Sequence, residues 1–248
     1  MDFRNRKVLV TGGSRGIGRA LTQRLVESGA EVVIIGRNSE ALEKATDEYP
    51  SGKVVGLQVD LSKYKEIDRL ISEVSKDHSD ISVLINNAGL QIETDFIKGN
   101  IKKNITASQQ EIAINISAPI ALTAGLLPQI SKHQSAAIVN ITTGLAISPK
   151  QTAPTYCATK AGLRSFSKSL RYQCEENAPQ ILVSEVIMSL VDTDMTKGRG
   201  SGKISPARAA NEIIAGLIKN QTEIWVGKTK LLRIINRLAP SIAARILR

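Results

Sequence analysis

A chain of 248 residues with 42% hydrophobic and 23% charged residues has the size and mix of one α/β domain, which excludes a disordered polymer and a pair of large domains. Aromatics make up only 3%, so a base-stacking surface for single-stranded nucleic acid is excluded, and two cysteines with two histidines are too few for a disulfide framework or a zinc or haem site. Of the net charge of +10, the segment 195–248 carries +9, eleven Lys or Arg against Glu212 and Glu223, so the expected body is near neutral with a basic C-terminal part and no nucleic-acid partner.

Short β-branched runs alternate with helix-patterned stretches along the whole chain. Strands are expected at 7–11 (KVLVT), 31–35, 53–59, 81–85, 136–141, 181–186 and 223–226. Helices are expected at 16–28, 40–48, 65–76, 108–132, 155–176 and 206–219. No hairpin signal joins successive strands, which predicts a Rossmann-type, doubly wound parallel sheet of seven strands in a single α/β domain. Residues 1–227 read as the main α/β body and 228–248 as a basic amphipathic helical extension of the same domain. No apolar run is expected to reach the ~18 to 20 uncharged residues of a membrane span, and the start is too short in apolar residues for a signal peptide, so the expected location is cytoplasmic. Cys157 and Cys174 fall 17 residues apart on one expected helix, roughly 25 Å, too far to bridge.

Between the first strand and first helix lies Thr11-Gly12-Gly13-Ser14-Arg15-Gly16-Ile17-Gly18. Glycines at 12, 16 and 18 allow a tight turn and close ligand approach, and a helix N-terminus behind them offers unpaired N–H groups to a pyrophosphate. The same residues satisfy a GxSxG nucleophile elbow around Ser14. A hydrolase would need a base histidine, and His78 and His133 both sit among polar residues that read as solvated loop. The elbow would also fall on the first strand, with none upstream to carry an oxyanion loop.

Tyr156 and Lys160 are i and i+4 on an expected helix and share a face. An ammonium beside a phenol is expected to favour phenolate and bring the tyrosine toward proton exchange with a carbonyl or alcohol oxygen. Upstream, the strand 137–141 ends in Thr142-Thr143-Gly144, which places a hydroxyl at the strand's C-terminal edge.

Together these features resemble the short-chain dehydrogenase/reductase family over essentially the whole chain. The TGxxxGxG turn, Asn86-Asn87-Ala88-Gly89 after the fourth strand, Asn115, the Tyr156/Lys160 pair and Asp192-Thr193-Asp194-Met195 follow the family's order. The resemblance implies an oxidoreductase interconverting a carbonyl and an alcohol by hydride transfer, with Tyr156 as general acid/base. It implies that Lys160 also binds the nicotinamide ribose, Asn115 positions water in a proton relay, and Thr143 stands where the family has Ser. Gly12, Ser14, Arg15, Gly16, Ile17, Gly18, Arg37, Asp60, Leu61, Asn87, Ala88, Gly89, Tyr156, Lys160, Val191 and Thr193 form the implied cofactor-binding set. Asp60 would contact adenine and Thr193 the carboxamide. Two departures stand out: Thr143, whose methyl and stiff χ1 alter the hydroxyl's placement, and Met188-Ser189 in place of the family's Pro-Gly. They leave a catalytically weakened scaffold of the same fold as the alternative. The Gly144-Leu145-Ala146 and Tyr156-to-Lys160 wording, with the basic tail, resembles the bacterial branch associated with teichoic-acid D-alanylation genes.

The second strand ends Ile35-Gly36-Arg37-Asn38 with no acid to hold a ribose diol, whereas Arg37 can pair with a 2′-phosphate and Arg15 can assist, so the expected cofactor is NADP(H). Lys197, Arg199 or Lys203 in the glycine-rich segment 197–203 is expected to meet an anionic substrate, if the segment is not simply a solvated loop. The stretch 228–238 reads as a cationic amphipathic helix, after which Pro240 stops it or starts a second through Ile246 and Leu247. It is expected either to pack on its own or a neighbouring subunit or to contact an anionic membrane peripherally. The resemblance implies a homodimer or homotetramer through the helices at 108–132 and 155–176.

Overall fold

The computed structural model describes residues 1–246. Strands β1 (Lys7–Thr11), β2 (Glu31–Gly36), β3 (Val54–Gln58), β4 (Ile81–Asn86), β5 (Ala136–Thr143), β6 (Ile181–Met188) and β7 (Glu223–Trp225) form one sheet in the order β3-β2-β1-β4-β5-β6-β7. Every pairing is parallel. The order reverses between β1 and β4, so a crevice opens at their C-terminal ends, where such sheets take ligands.

Alternation along the strands divides the core. Val8 and Val10 face α1 (Gly16–Glu27), α2 (Ser39–Thr46) and α7 (Pro206–Ile218), where Leu21, Leu25, Leu42 and Ile213 pack. Leu9 between them faces α3 (Tyr64–Asp77), α5 (Ala118–Ile130) and α6 (Pro154–Asn177), where Leu70, Leu122 and Leu170 pack. Strands with apolar side chains on both faces need helices on both sides, and this explains the near-continuous apolar runs in the sequence.

The expected helix 108–132 starts earlier, as α4 (Ile101–Ile112), because the Asn100 side chain accepts the Lys103 N–H at 3.0 Å and caps it. Its first turns carry exposed Ile101 and Ile105, which blurs the apolar periodicity. A π turn at Ala113–Ser117 then separates α4 from α5. The expectation about apolar runs needs correction, since 112–131 holds no charged side chain and the helical run Ile101–Ile130 is long and apolar enough to cross a bilayer. Leu122, Leu126 and Ile130 are fully buried in the sheet-facing core, so α5 is a core helix. Cys157 and Cys174 both lie on α6 and are free.

The hydrolase reading falls on topology. Ser14 follows β1 and lies at the sheet's C-terminal edge, whereas His78 precedes β4 and His133 precedes β5, at the opposite edge. The tail folds as α8 (Thr229–Leu238) and α9 (Pro240–Ile246), with Pro240 opening the second helix. Leu247 lies outside the described residues.

Candidate active site

The glycine turn is locked to the β4 end by the side chains of Thr11 and Asn87. Thr11 Oγ1 accepts the Asn87 and Ala88 N–H groups at 3.0 and 2.9 Å, and Asn87 Nδ2 donates to the Thr11 carbonyl at 2.9 Å. Gly12 and Gly16 adopt φ of +67° and +54°. A Cβ at Gly12 would stand 3.2 Å from the Ala88 Cα, and one at Gly18 would overlap the Gly12 carbonyl oxygen. Side chains at these positions would collide with the turn's own backbone and with the segment after β4. No side chain caps α1, and the Gly16, Ile17 and Gly18 N–H groups have no acceptor among the described residues, so they remain available to an anion. These features fit a dinucleotide's pyrophosphate. Gly13, which the sequence reading passed over, is needed for a different reason: a Cβ there would lie 2.5 Å from Ile34 Cγ2.

Other members of the expected set divide by role. Ser14 Oγ lies beside Gly36 at the β2 end, and Thr193 Cγ2 beside Gly16, so both border the turn. Arg15 and Arg37 are exposed and form no ion pair among the described residues. Asp60 accepts from the Ser62 N–H and hydroxyl at 3.0 and 2.7 Å, and these bonds hold its carboxyl below the usual carboxylate range. Leu61 and Val191 are buried in the core, which leaves only their backbone to meet a ligand.

Across the crevice, α6 brings Tyr156 and Lys160 to the β5 end. Lys160 is 3% exposed, donates from Nζ to the Ile141 carbonyl at 2.8 Å and stands 5.9 Å from the centre of the Tyr156 ring. The expectation that Lys160 favours a phenolate is not met in this geometry. The ammonium sits over the ring and bonds a carbonyl, and burial governs both groups: Tyr156 is pushed well above its ordinary value, and Lys160 is pulled down to about 8. A Cβ at Gly89 would meet Asn115 Oδ1 at 3.6 Å and Lys160 Nζ at 3.7 Å, so the NNAG turn, Asn115 and Lys160 converge.

Asn115 sits in the π turn, fully buried. Its Oδ1 accepts the Leu90 N–H and its Nδ2 donates to the Leu90 carbonyl, both at 2.8 Å, with Thr159 Oγ1 at 3.2 Å. The side chain thus anchors the segment after β4 at Leu90, and any water it positions must be reached through its backbone. One turn earlier on the same face, Glu111 accepts the Ile92 N–H at 2.8 Å. Thr143 Oγ1 accepts the Leu145 N–H at 3.3 Å and keeps its own proton to donate. Thr142 is committed elsewhere, to Glu185 at 2.6 Å.

The basic segment resolves into separate jobs. Lys203 donates to the Thr196 carbonyl at 2.7 Å and pairs with Asp192 at 3.2 Å, Lys197 is exposed, and Arg199 turns inward toward Glu93, 3.9 Å from its Nε. An open groove of about 630 Å³ past Leu145, Pro149 and Ala158 runs along the face of α6 turned away from Tyr156.

Residues 6–203 match the family model described as short chain dehydrogenase. The chain belongs to the short-chain dehydrogenase family. Among relatives of this family, the Bacillus subtilis oxidoreductase DltE is 39% identical over 197 residues, 79% of this chain and 76% of that protein, in line with the narrower resemblance. A short-chain dehydrogenase from Burkholderia cenocepacia in complex with NADP superposes with a TM-score of 0.85 at 24% identity over 100% of both chains. One from Burkholderia phymatum in complex with NAD gives a TM-score of 0.85 at 16% identity, over 97% of this chain and 95% of that one. Membership makes the chain a short-chain dehydrogenase-type oxidoreductase with a Rossmann sheet.

Proposed function

We propose that the protein is an NADP(H)-dependent oxidoreductase that interconverts a small-molecule carbonyl and its alcohol, acting in the cytoplasm with Tyr156 as the proton-transferring group. The observation that carries this reading is the half-buried Tyr156 ring and the buried Lys160 ammonium, 5.9 Å apart, meeting beside Gly89 at the sheet's C-terminal edge. The nicotinamide, when bound, supplies or takes up the hydride. In reduction, Tyr156 gives its phenolic proton to the carbonyl oxygen, which suits a phenol kept neutral by burial. Thr143 donates a hydrogen bond to the same oxygen, and Lys160, whose ammonium burial brings down to about 8, can return a proton to the phenolate that forms and take one back from solvent.

Selectivity for the phosphorylated dinucleotide rests on Arg37 and Arg15, since the relatives of this fold carry NADP in one case and NAD in the other. Calorimetric titration with NADPH and NADH tests it: tight NADPH and weak NADH binding is expected, reversed in direction by Arg37→Asp. Failure to bind either dinucleotide would remove the reading.

The resemblance assigns self-association to α4–α6, which sedimentation equilibrium reads directly. The tail supports a second contact, with an anionic bilayer. Leu231, Ile234 and Leu238 on α8 and Ile242 on α9 are each more than half exposed. Lys230, Arg233 and Arg237 form a parallel stripe beside them on α8. Residues 228–248 contain six Lys or Arg and no acid, so a two-fold contact with a second copy would stack like charges, whereas anionic lipid complements them. Ser148 Oγ donates to the Ala243 carbonyl at 2.7 Å and ties this tail to the loop after β5. Flotation with phosphatidylglycerol vesicles, reduced by Leu231→Ser with Ile234→Ser and by salt, is the expected outcome; equal flotation with phosphatidylcholine alone would sink it.

A further inference from the structure

Three loops of the C-terminal edge meet at one carboxylate. Glu93 comes from the segment after β4, Lys150 and Thr152 from the loop between β5 and α6, and Arg199 from the segment after β6. Glu93 Oε1 accepts from Lys150 Nζ at 2.8 Å and from Thr152 Oγ1 at 3.3 Å, and Arg199 Nε approaches it only to 3.9 Å. Two cations therefore share one acid that is already engaged.

Arg199 Nη1 is buried and has no acceptor among the described residues. A buried guanidinium N–H left unpaired is costly, and the group that satisfies it best is a carboxylate or phosphate. Glu111, the other acid whose charge reaches Tyr156, makes no ion pair with Arg199 among the described residues. Glu111 is 0% exposed, bonds the Ile92 N–H and has its second carboxyl oxygen buried without a partner. Burial pushes its carboxyl up. The backbone around Arg199 is built for its placement: Gly198, Gly200 and Gly202 have φ of +75°, +57° and +67°, and Lys203 pins the segment's end to Asp192 and Thr196. Arg199 lies close enough to Tyr156 for its positive charge to favour the phenolate.

We propose that Arg199, with Lys150 beside it, binds an anionic oxygen group, carboxylate or phosphate, on the substrate whose carbonyl meets Tyr156. This assignment rests on the carbonyl-reductase reading and narrows its substrates to anionic ones.

The test uses the whole protein with NADPH and three matched aldehydes: 4-formylbenzoate, 4-formylphenyl phosphate and the neutral methyl 4-formylbenzoate. kcat/KM for one of the anions is expected to exceed that for the ester by about tenfold or more, and which anion wins separates carboxylate from phosphate. Arg199→Gln collapses the anion-to-ester ratio toward one through KM, Arg199→Lys restores part of it, and Lys197→Gln leaves it unaltered. A wild-type protein that reduces the ester as well as both anions overturns the anion site while the carbonyl-reductase reading stands. An Arg199→Gln protein that loses NADPH affinity with its ratio intact also overturns it, and moves Arg199 to the cofactor. If no aldehyde is reduced, that reading fails instead, and calorimetric titration with terephthalate decides the anion site: saturable binding lost in Arg199→Gln supports it, and absent or unchanged binding defeats it.

Discussion

The two sides of the ligand crevice treat their polar groups in opposite ways. On the β1–β4 side, Thr11 and Asn87 bond each other's backbone, and the groups left open are the amides at the start of α1. On the β5–β6 side, Lys160 is buried with its charge, the half-buried Tyr156 is a neutral phenol, and Glu111 and Arg199 each keep an atom unpartnered among the described residues. The first side can wait for a ligand at no strain, whereas the second holds groups in states that water would reverse. That contrast separates a surface for binding from one for proton transfer.

The contrast breaks most visibly at Tyr156. Tyr156→Phe is expected to lower kcat about a thousandfold while the melting temperature and calorimetric NADPH affinity stay near wild type, because only a proton donor is lost. Lost affinity would place Tyr156 on the binding side instead. Gly18→Ala should do the reverse, since its Cβ overlaps the Gly12 carbonyl oxygen. We expect about 3 kcal/mol of destabilisation in urea unfolding, with dinucleotide binding abolished.

Lys160 sharpens the comparison through pH. Its value falls from 10.5 to about 8, so the unfolded chain binds the extra proton between those limits and stability rises with pH across that window. Below pH 8 the cost of burying the charge is present in full. Lys160→Met is therefore expected to stabilise the fold by about 2 kcal/mol at pH 7, offset partly by the lost bond to the Ile141 carbonyl, while abolishing turnover. The gain should shrink as pH climbs from 8 to 10.5; a gain independent of pH would show that packing, not charge, is responsible. The smallest effect belongs to Thr143, where Thr143→Val should reduce kcat about tenfold and Thr143→Ser should raise it, read in steady-state rates at saturating cofactor.

Much of the sheet was legible because strands buried on both faces cannot avoid long β-branched runs. The start of α4 was not, because Ile101 and Ile105 face outward and break the periodicity on which a sequence reading depends. Among site residues, Tyr156, Lys160 and the glycine turn were legible by local spacing alone. The work of Thr11, though the residue opens that turn, was not, since its hydroxyl matters through Asn87 and Ala88, which the sheet brings beside it. The sequence grouped Lys197, Arg199 and Lys203 as equals, and only the curl of the glycine segment sends one inward and commits another to Asp192. The charge effect expected between Lys160 and Tyr156 failed for a related reason: spacing puts both on one face but does not set which atoms meet.

The parallel register also sets a timetable for synthesis. Lys7 pairs with Ile81 and Val10 with Ile85, so β1 waits as an unpaired edge on one side until the chain has been made past β4. A nascent chain can assemble β1, β2 and β3 early, yet the glycine turn stays unclosed until Asn87 arrives to bond Thr11. Tyr156 and Arg199 follow later still. A product released before Asn87 would expose apolar strand edges and hold neither half of the crevice, which makes it a substrate for chaperones and proteases before it can capture any ligand.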